Sequence, residues 1–209
     1  MGALQYKPTR MELSNLKKRR VVAVRGHKMM KDKRDELVRR FIGYARKNKE
    51  LRLAVEEKLS LAMKSFVLAR STMSDGEIEE ALLYPARAAS VDAKRENVMS
   101  IDVPKFSMEA QEGFTYPYGF ATTGADLDGA VQQLAEVLPM LLELAETEKT
   151  CSRLADEIEK TRRRVNALEY VMIPQFTEAI HDIQMKLDEN DRSTTTRLMK
   201  TKEMLANKQ

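Results

Sequence analysis

The chain has 209 residues, a formal net charge of +4, 33% charged residues and no Trp. A hydrophobic fraction of 43% excludes a disordered composition. Eight Gly and six Pro are too few for an all-β protein, and abundant Leu, Met, Ala, Glu, Lys and Arg favours long helices. Cys151 is the only cysteine, which excludes an internal disulfide. With no signal-peptide core and no long apolar segment, the sequence predicts a soluble, intracellular protein.

Charge is unevenly distributed along the chain. Residues 1–40 carry 13 basic and 4 acidic side chains, whereas residues 75–160 carry 7 basic and 18 acidic ones. Segregated charge of this kind indicates different partners at the two ends of the molecule. The alternative interpretation is an ordinary solvated helix surface.

The first predicted element is one helix over residues 9–72. Thr9 and Glu12 have the spacing of a capping box, and no proline follows until Pro85. A helix of this length extends about 95 Å, so it needs an equally long partner to bury its apolar stripe. Leu51, Val55, Leu59 and Ala62 follow a four-four-three spacing, which is a stutter in the heptad. The stripe consists of Leu13, Leu16, Ala23, Met30, Leu37, Phe41, Tyr44, Leu51, Val55, Ala62, Phe66 and Ala69.

The partner is a second predicted helix over residues 125–205. Pro139 lies early in it, and Pro174 is expected to bend the helix without ending it, because the apolar periodicity resumes afterwards. Two long helices joined through a compact middle section must pack antiparallel. The second stripe consists of Leu144, Cys151, Leu154, Ile158, Val165, Leu168, Met172, Phe176, Ile183 and Leu187.

The middle section, residues 73–124, has mixed signals. A short helix over residues 77–83 is expected to stop at Pro85, and residues 116–120 are predicted to form an aromatic loop. Alternating polar and apolar residues predict a β-hairpin over about residues 89–105, with its turn at residues 96–97 and its end at Pro104. The predicted fold is mainly α, a single elongated domain built on a long antiparallel two-helix coiled coil.

The sequence contains no catalytic, cofactor-binding or metal-binding motif. It has neither a phosphate-binding loop nor a dinucleotide fingerprint. His27 and His181 are the only histidines and stand apart from any ligand cluster, and Cys151 is best interpreted as a small buried hydrophobe. We therefore expect no catalytic centre, no cofactor and no metal.

Polar residues interrupt the first apolar stripe at Arg20, His27, Arg34 and Asn48. Such residues lower the stability of a coiled coil and fix its alignment or its partner number. Two glycines, at positions 26 and 43, indicate either helix curvature or close approach of another element. The alternative is that both are tolerated weak positions.

Three segments of the chain resemble the D subunit of the V-type (vacuolar and archaeal-type) ATPases, and in particular its bacterial branch. The first is Pro8-Thr9-Arg10-Met11-Glu12-Leu13, and the second comprises residues 25–28 with residues 31–37. The third and most specific runs from residue 157 through Thr161-Arg162-Arg163-Arg164-Val165 to Ile173-Pro174. The similarity covers nearly the whole chain and is weakest in the middle section.

The resemblance implies a central rotor axle (stalk subunit) that transmits torque and does not itself hydrolyse ATP. Both chain ends would enter a hexamer of catalytic A and B subunits, and the middle section would face the small F subunit and the membrane-side funnel subunit (C/d type). No nucleic acid and no direct membrane insertion are implied. The expected location is cytoplasmic and peripheral to the membrane.

Two sets of residues are predicted to form interfaces on this basis. The predicted hexamer-facing residues are Arg10, Lys17, Lys18, Arg19, Arg20, Arg25, Arg192, Arg197 and Lys200, and the predicted partner-facing hairpin residues are Val91, Ala93, Ile101 and Val103.

Two other functions remain open. One is a nucleic-acid-binding coiled coil, suggested by the basic first 40 residues, and the other is a static scaffold.

Overall fold

A computed structural model describes residues 6–83, 90–109, 116, 118–119 and 123–207. The expected helix stop at Pro85 and the aromatic-loop residues Pro117 and Phe120 lie outside the described residues. The elements are α1 (Arg10–Thr72), α2 (Asp75–Leu82), β1 (Ser90–Val98), β2 (Ile101–Glu109), α3 (Ala125–Ala167), a π-helical turn (Leu168–Met172) and α4 (Ile173–Ala206). The predicted fold class is confirmed: long helices pack in pairs, and a small antiparallel hairpin lies between them in sequence.

Helix α1 begins where its capping signal predicts. Thr9 Oγ1 accepts a 3.2 Å hydrogen bond from the backbone N–H of Glu12, which satisfies one of the free donors of the first turn. The helix then runs for 63 residues without a proline. It contributes its first part to one compact unit and the remainder to another.

The first unit consists of Met1–Glu36 and Glu159–Gln209. Its core forms where Leu16 of α1 packs with Ile180 and Ile183 of α4. Two side-chain contacts show that the helices run antiparallel: Arg10 reaches Asp191, and His27 reaches Glu169. The half-buried side chains around this core are Tyr6, Leu13, Phe176, Ala179 and Leu187.

The π-helical turn changes the phase of the apolar stripe within this unit. Upstream, Thr161, Val165 and Leu168 are spaced by four and three residues; the stripe then resumes at Ile173, five residues after Leu168. Met172, expected in the stripe, is instead 42% exposed, so that assignment is wrong. The turn absorbs one extra residue, and the backbone N–H of Ile173 bonds to the carbonyl of Leu168. The helix therefore continues past Pro174.

The second unit consists of Leu37–Ile158, and its helices are also antiparallel. Leu37 of α1 packs with Leu154 of α3 at one end, and Ala69 packs with Leu127 at the other. Between them, Lys47 Nζ lies 2.7 Å from Glu143 Oε1. The residues of the predicted stutter, Leu51, Val55, Leu59 and Ala62, are all buried or half-buried.

The hairpin pairs Val98 with Ile101, so its turn consists of Met99 and Ser100. The predicted turn at residues 96–97 is wrong, and Pro104 lies inside β2, opposite Arg95, instead of ending the hairpin. Met99 and Ser100 have φ values of 55° and 68°, a left-handed backbone that favours Gly or Asn. Asn97 supports this turn from outside it, because its Oδ1 accepts the Ser100 N–H at 3.0 Å.

Helix α2 is held at its N-terminus by a capping box. The backbone N–H of Ser74 donates to Glu77 Oε2 at 2.8 Å, and Ser74 Oγ accepts from the Glu77 N–H at 3.4 Å. The Ser74 backbone N–H and the Ser74 hydroxyl, which also donates to Glu77 Oε2 at 2.8 Å, lower the pKa of the Glu77 carboxyl. Ala81 of α2 packs against Ala69 and Leu127, which attaches the short helix to the long pair.

Candidate functional site

The first candidate surface is the basic part of the first unit. All nine basic residues predicted to face a partner lie in this unit and are exposed. Arg10 pairs with Asp191 at 3.1 Å, but both side chains are highly exposed, at 80% and 64%, so this contact adds little stability. The other predicted residues are Lys17, Lys18, Arg19, Arg20, Arg25, Arg192, Arg197 and Lys200.

Exposed apolar side chains lie among these charges, and the sequence analysis missed them. Val21, Val22 and Val24 are 50%, 67% and 47% exposed, because only Ala23 of this run faces the seam. Four consecutive apolar residues cannot all lie on one stripe of a helix, and this pattern was the signal available in the sequence. Two open grooves combine these valines with basic side chains: Arg10, Leu13, Ser14, Lys17, Lys18, Val21 and Val22 line one, and Lys17, Arg20, Val21, Val24, Arg25, Ile180 and Gln184 line the other.

The second candidate surface is the hairpin, whose predicted apolar residues lie on two different faces. Ile101 and Val103 are buried in a cluster with Leu37 and Leu154. They therefore contact the chain's own helices, an alternative that the apolar pattern leaves open. Val91 and Ala93 are exposed on the face of the hairpin that points away from this cluster. Their cross-strand partners Met108 and Phe106 lie on the same face as Val91 and Ala93.

A backbone contact adds to this attachment of the hairpin. The N–H of Phe106 in β2 donates a 3.1 Å hydrogen bond to Glu146 Oε2 of α3. Because an isolated two-stranded hairpin is marginally stable in water, the apolar cluster and this bond explain why the strands are ordered. The face with Val91 and Ala93 remains open to solvent.

The polar residues expected in the α1 seam have different environments. Arg20 is exposed, so its assignment to the seam is wrong. His27 is half-buried, and its Nε2 lies 3.3 Å from Glu169 Oε2 on the π-helical turn. Arg34 is half-buried and bonds the neighbouring Asp35 at 2.8 Å, while Asn48 is also half-buried. Of the four residues, His27, Arg34 and Asn48 therefore lie at the half-buried margin of the apolar stripe.

The shifted titratable groups are dispersed along the chain. Hydrogen bonding to Glu143 raises the pKa of Lys47, and burial raises the pKa of the Cys151 thiol. Burial and a 2.7 Å hydrogen bond to Asp128 raise the pKa of Tyr118 well above its usual value. Within the described residues, no group of three or more His, Cys, Asp or Glu side chains is arranged to hold a metal ion.

No helix among the described residues is long and apolar enough to cross a membrane. The candidate functional features among the described residues are two exposed surfaces on a helical scaffold, one basic and apolar, the other formed by the open face of a hairpin.

A family model described as the D subunit of ATP synthase matches residues 12–203. The chain belongs to this family. Among its relatives is a V-type ATP synthase D subunit from Clostridium botulinum (strain Langeland / NCTC 10281 / Type F), 57% identical over 210 residues, which cover 99% of this chain and 97% of the relative. Another, from Thermoanaerobacter sp. (strain X514), bears the same name and is 55% identical over 206 residues, or 98% of this chain and 99% of the relative.

Membership of the D-subunit family of ATP synthases confirms the resemblance that the sequence motifs indicated, including its bacterial branch. The matched region contains the hairpin and all but the outermost two or three residues of the long helices. The chain is thus one component of a V-type ATP synthase complex, and the two exposed surfaces are to be interpreted within such an assembly.

Proposed function

We propose that the chain is the central rotor axle of a rotary V-type ATPase. In this role it transmits torque between the ATP-hydrolysing A/B hexamer and the ion-translocating membrane ring, and it is not itself catalytic. The observation that carries the proposal is that the first unit is built from two segments distant in sequence. There the start of α1 and the end of α4 pair antiparallel, with Arg10 beside Asp191, so both ends of the chain belong to one helical tip.

The hexamer-facing surface in this proposal is the basic and apolar part of the first unit. An axle must release its contacts at each step, which suits exposed ion pairs worth about 0–1 kcal/mol better than fixed, buried ones. Exposed valines at positions 21, 22 and 24 add non-directional contact, which tolerates sliding. The proposed ionic residues are Arg10, Lys17, Lys18, Arg19, Arg20, Arg25, Arg192, Arg197 and Lys200.

The hairpin in this proposal faces another component of the rotor. Ile101 and Val103 hold it against α1 and α3, while Val91 and Ala93 are available on the opposite face. We propose the F subunit as the partner of this region, and the membrane-side funnel subunit (C/d type) as a second partner of the middle section. The acidic balance of residues 75–160 suits partner patches that are locally basic.

The proposed location follows from these partners. The axle lies on the cytoplasmic side, peripheral to the membrane, because its contacts are with the hexamer and with subunits mounted on the membrane ring. It requires neither a cofactor nor contact with nucleic acid.

Reversible cross-linking tests the proposal. The chain, carrying Val22→Cys in a Cys151→Ala background, is assembled with A, B and F subunits, and a disulfide is formed to a cysteine in the facing hexamer surface. We expect cross-linking to stop ATP hydrolysis and reduction to restore it, because an axle fixed to its bearing cannot turn.

Two other outcomes would support the rival functions. Full ATP hydrolysis in the cross-linked complex would indicate a static scaffold. Failure to assemble with A, B and F subunits, together with salt-dependent binding to nucleic acid, would indicate a nucleic-acid-binding coiled coil.

A further inference from the structure

Both helices of the first unit contain a weak helical position. In the continuous helical segment made of α3, the π-helical turn and α4, the weak position is the turn itself, Leu168–Met172, none of whose side chains is buried. Pro174 is the second residue after the turn, and a proline offers no backbone N–H to the helix. Tyr170, at 71% exposure, lies in the middle of the turn. Packing therefore holds this segment less firmly than the seam on either side of it.

The corresponding position in α1 is Gly26. A Cβ atom built there would meet nothing within 4 Å, so close approach of a neighbouring element does not require glycine. Close approach of another element of this chain is therefore excluded as the reason for glycine at this position. Glycine still weakens the interior of a helix relative to alanine, because it has more backbone freedom to lose on folding.

The two weak positions lie side by side. His27, next to Gly26, has its Nε2 3.3 Å from Glu169 Oε2, and Glu169 belongs to the π-helical turn. Two packed helices bend sharply only if both deform at the same level, since a straight helix resists bending of its partner. Sharp bends in helices occur at prolines, glycines and π turns, and these three features meet here.

We propose that Gly26 and the turn Leu168–Met172 form a hinge at which the helix pair of the first unit bends. The hinge is a property of this chain's own backbone, so it holds or fails independently of the rotor function proposed above. Its consequence is that the two ends of the first unit change their mutual angle without unpacking the core formed by Leu16, Ile180 and Ile183.

Distance distributions between spin labels on the full-length chain test the hinge. Labels at Arg162→Cys and Glu189→Cys, in a Cys151→Ala background, lie on exposed positions on either side of the turn. They are separated by about 40 Å along the helix, from the rise per residue. A bending hinge predicts a broad distribution in this protein and a clearly narrower one after Gly26→Ala, because α1 then resists bending.

Gly43→Ala is the matched control. Gly43 also lies in α1 with open space at its Cβ, but it belongs to the second unit. It should strengthen α1 to a similar degree and leave the width of the 162–189 distribution unchanged. Equal narrowing by both variants would show a general effect of helix propensity and would overturn the proposal.

A second variant removes the other half of the hinge. Deleting Tyr170 together with Pro174→Ala restores an uninterrupted α-helix and keeps the downstream stripe in phase, because the π turn holds one extra residue. The hinge predicts a narrowed distribution in this variant as well, with helicity by circular dichroism retained. An unchanged distribution in both this variant and Gly26→Ala would contradict the hinge.

Discussion

The backbone N–H of Phe106 in β2 donates a 3.1 Å hydrogen bond to the Glu146 carboxylate in the middle of α3. Together with the cluster of Ile101, Val103, Leu37 and Leu154, this bond makes the hairpin part of the core of the second unit. Removing residues 89–105 would therefore expose the buried surfaces of Leu37 and Leu154. Point substitutions therefore test the attachment of the hairpin better than a deletion does, because they leave this cluster in place.

Glu146→Ala should loosen β2 without unfolding the long helices. Loss of a hydrogen bond to a charged acceptor, about 1.5–3 kcal/mol, should speed exchange of the Phe106 amide by roughly tenfold or more. Glu148→Ala is the control. Glu148 lies on the same helix, but its carboxylate is 3.8 Å from Arg52 of α1, a weak contact that does not involve the hairpin. Amide hydrogen exchange followed by NMR measures both. Unchanged protection of Phe106 in Glu146→Ala would show that the bond does not hold the strand.

Thr161→Val should stabilise the chain. Thr161 is 1% exposed, and its hydroxyl has no hydrogen-bond partner among the described residues. Valine has nearly the same shape and removes the desolvation penalty of an unsatisfied hydroxyl, about 1 kcal/mol or more. For a chain of this size that gain corresponds to a rise in Tm of about 2–4 °C.

Thr150→Val provides the comparison for that prediction. Thr150 is equally buried, but its hydroxyl donates a 2.8 Å hydrogen bond to the Glu146 carbonyl, so valine there removes a made bond. Thermal unfolding followed by circular dichroism should give a higher Tm for Thr161→Val and an equal or lower Tm for Thr150→Val. A lowered Tm for Thr161→Val would contradict the account of this seam.

Tyr118 should make the stability of the second unit fall at high pH. Burial and its bond to Asp128 raise the pKa of Tyr118 in the folded chain, whereas an unfolded tyrosine has a pKa of about 10. Above about pH 10 the unfolded chain loses this proton while the folded chain keeps it, so unfolding becomes easier as pH rises. Below about pH 10 the Tyr118 hydroxyl makes its full contribution to the free energy of unfolding.

Comparison with Tyr118→Phe isolates this effect from other groups that titrate at high pH. Phenylalanine keeps the packing against Ala69 and Leu127 but has no proton to lose. Urea unfolding from pH 8 to 11 should show the stability difference between the two proteins shrinking above about pH 10. A difference that stays constant over this range would show that the hydroxyl does not titrate differently in the folded state.

Reversing several charges at the basic tip should impair the assembled motor. The triple variant Lys17→Glu, Arg20→Glu and Arg25→Glu places negative charge in the grooves beside the exposed valines. Single alanine substitutions should change the rate only slightly, because exposed ion pairs are worth about 0–1 kcal/mol each. The triple variant should uncouple or stall ATP-driven ion transport in reconstituted vesicles.

The control for this triple is a reversal of three exposed basic residues of α1 in the second unit, at Arg46, Lys49 and Lys58. It changes the net charge equally but leaves the proposed hexamer-facing surface intact. Normal coupled transport in the tip variant would show that its contacts are not electrostatic and would direct attention to Val21, Val22 and Val24.

Apolar periodicity predicts the long helices because a three-four spacing is a local property of the sequence. It places Leu16, Leu37 and Ala69 in the seam, and all three are fully buried. The capping signal at Thr9 is equally local, which is why the start of α1 is close to the expected position. Both features depend on a few neighbouring residues and on general helix geometry.

The features that sequence analysis missed depend on backbone geometry that neighbouring residues do not specify. The hairpin turn occupies Met99 and Ser100 without a glycine, since Asn97 and the packing of Met99 support it. The π-helical turn is indicated in the sequence only by the five-residue spacing between Leu168 and Ile173, where the rest of the stripe has spacings of three or four. The buried face of the hairpin is set by its packing against α1 and α3. The alternation of polar and apolar residues in a strand does not predict which helices it packs against.

Single-molecule observation of rotation tests the central claim most directly. With the A/B hexamer fixed to a surface and a bead attached at Lys58→Cys, an exposed position of α1 outside both proposed interfaces, in a Cys151→Ala background, rotation can be recorded during ATP hydrolysis. A rotor axle predicts unidirectional, ATP-dependent turning of the bead, which stops when the tip is cross-linked to the hexamer. A bead that stays still while the same complexes hydrolyse ATP would contradict the rotor assignment.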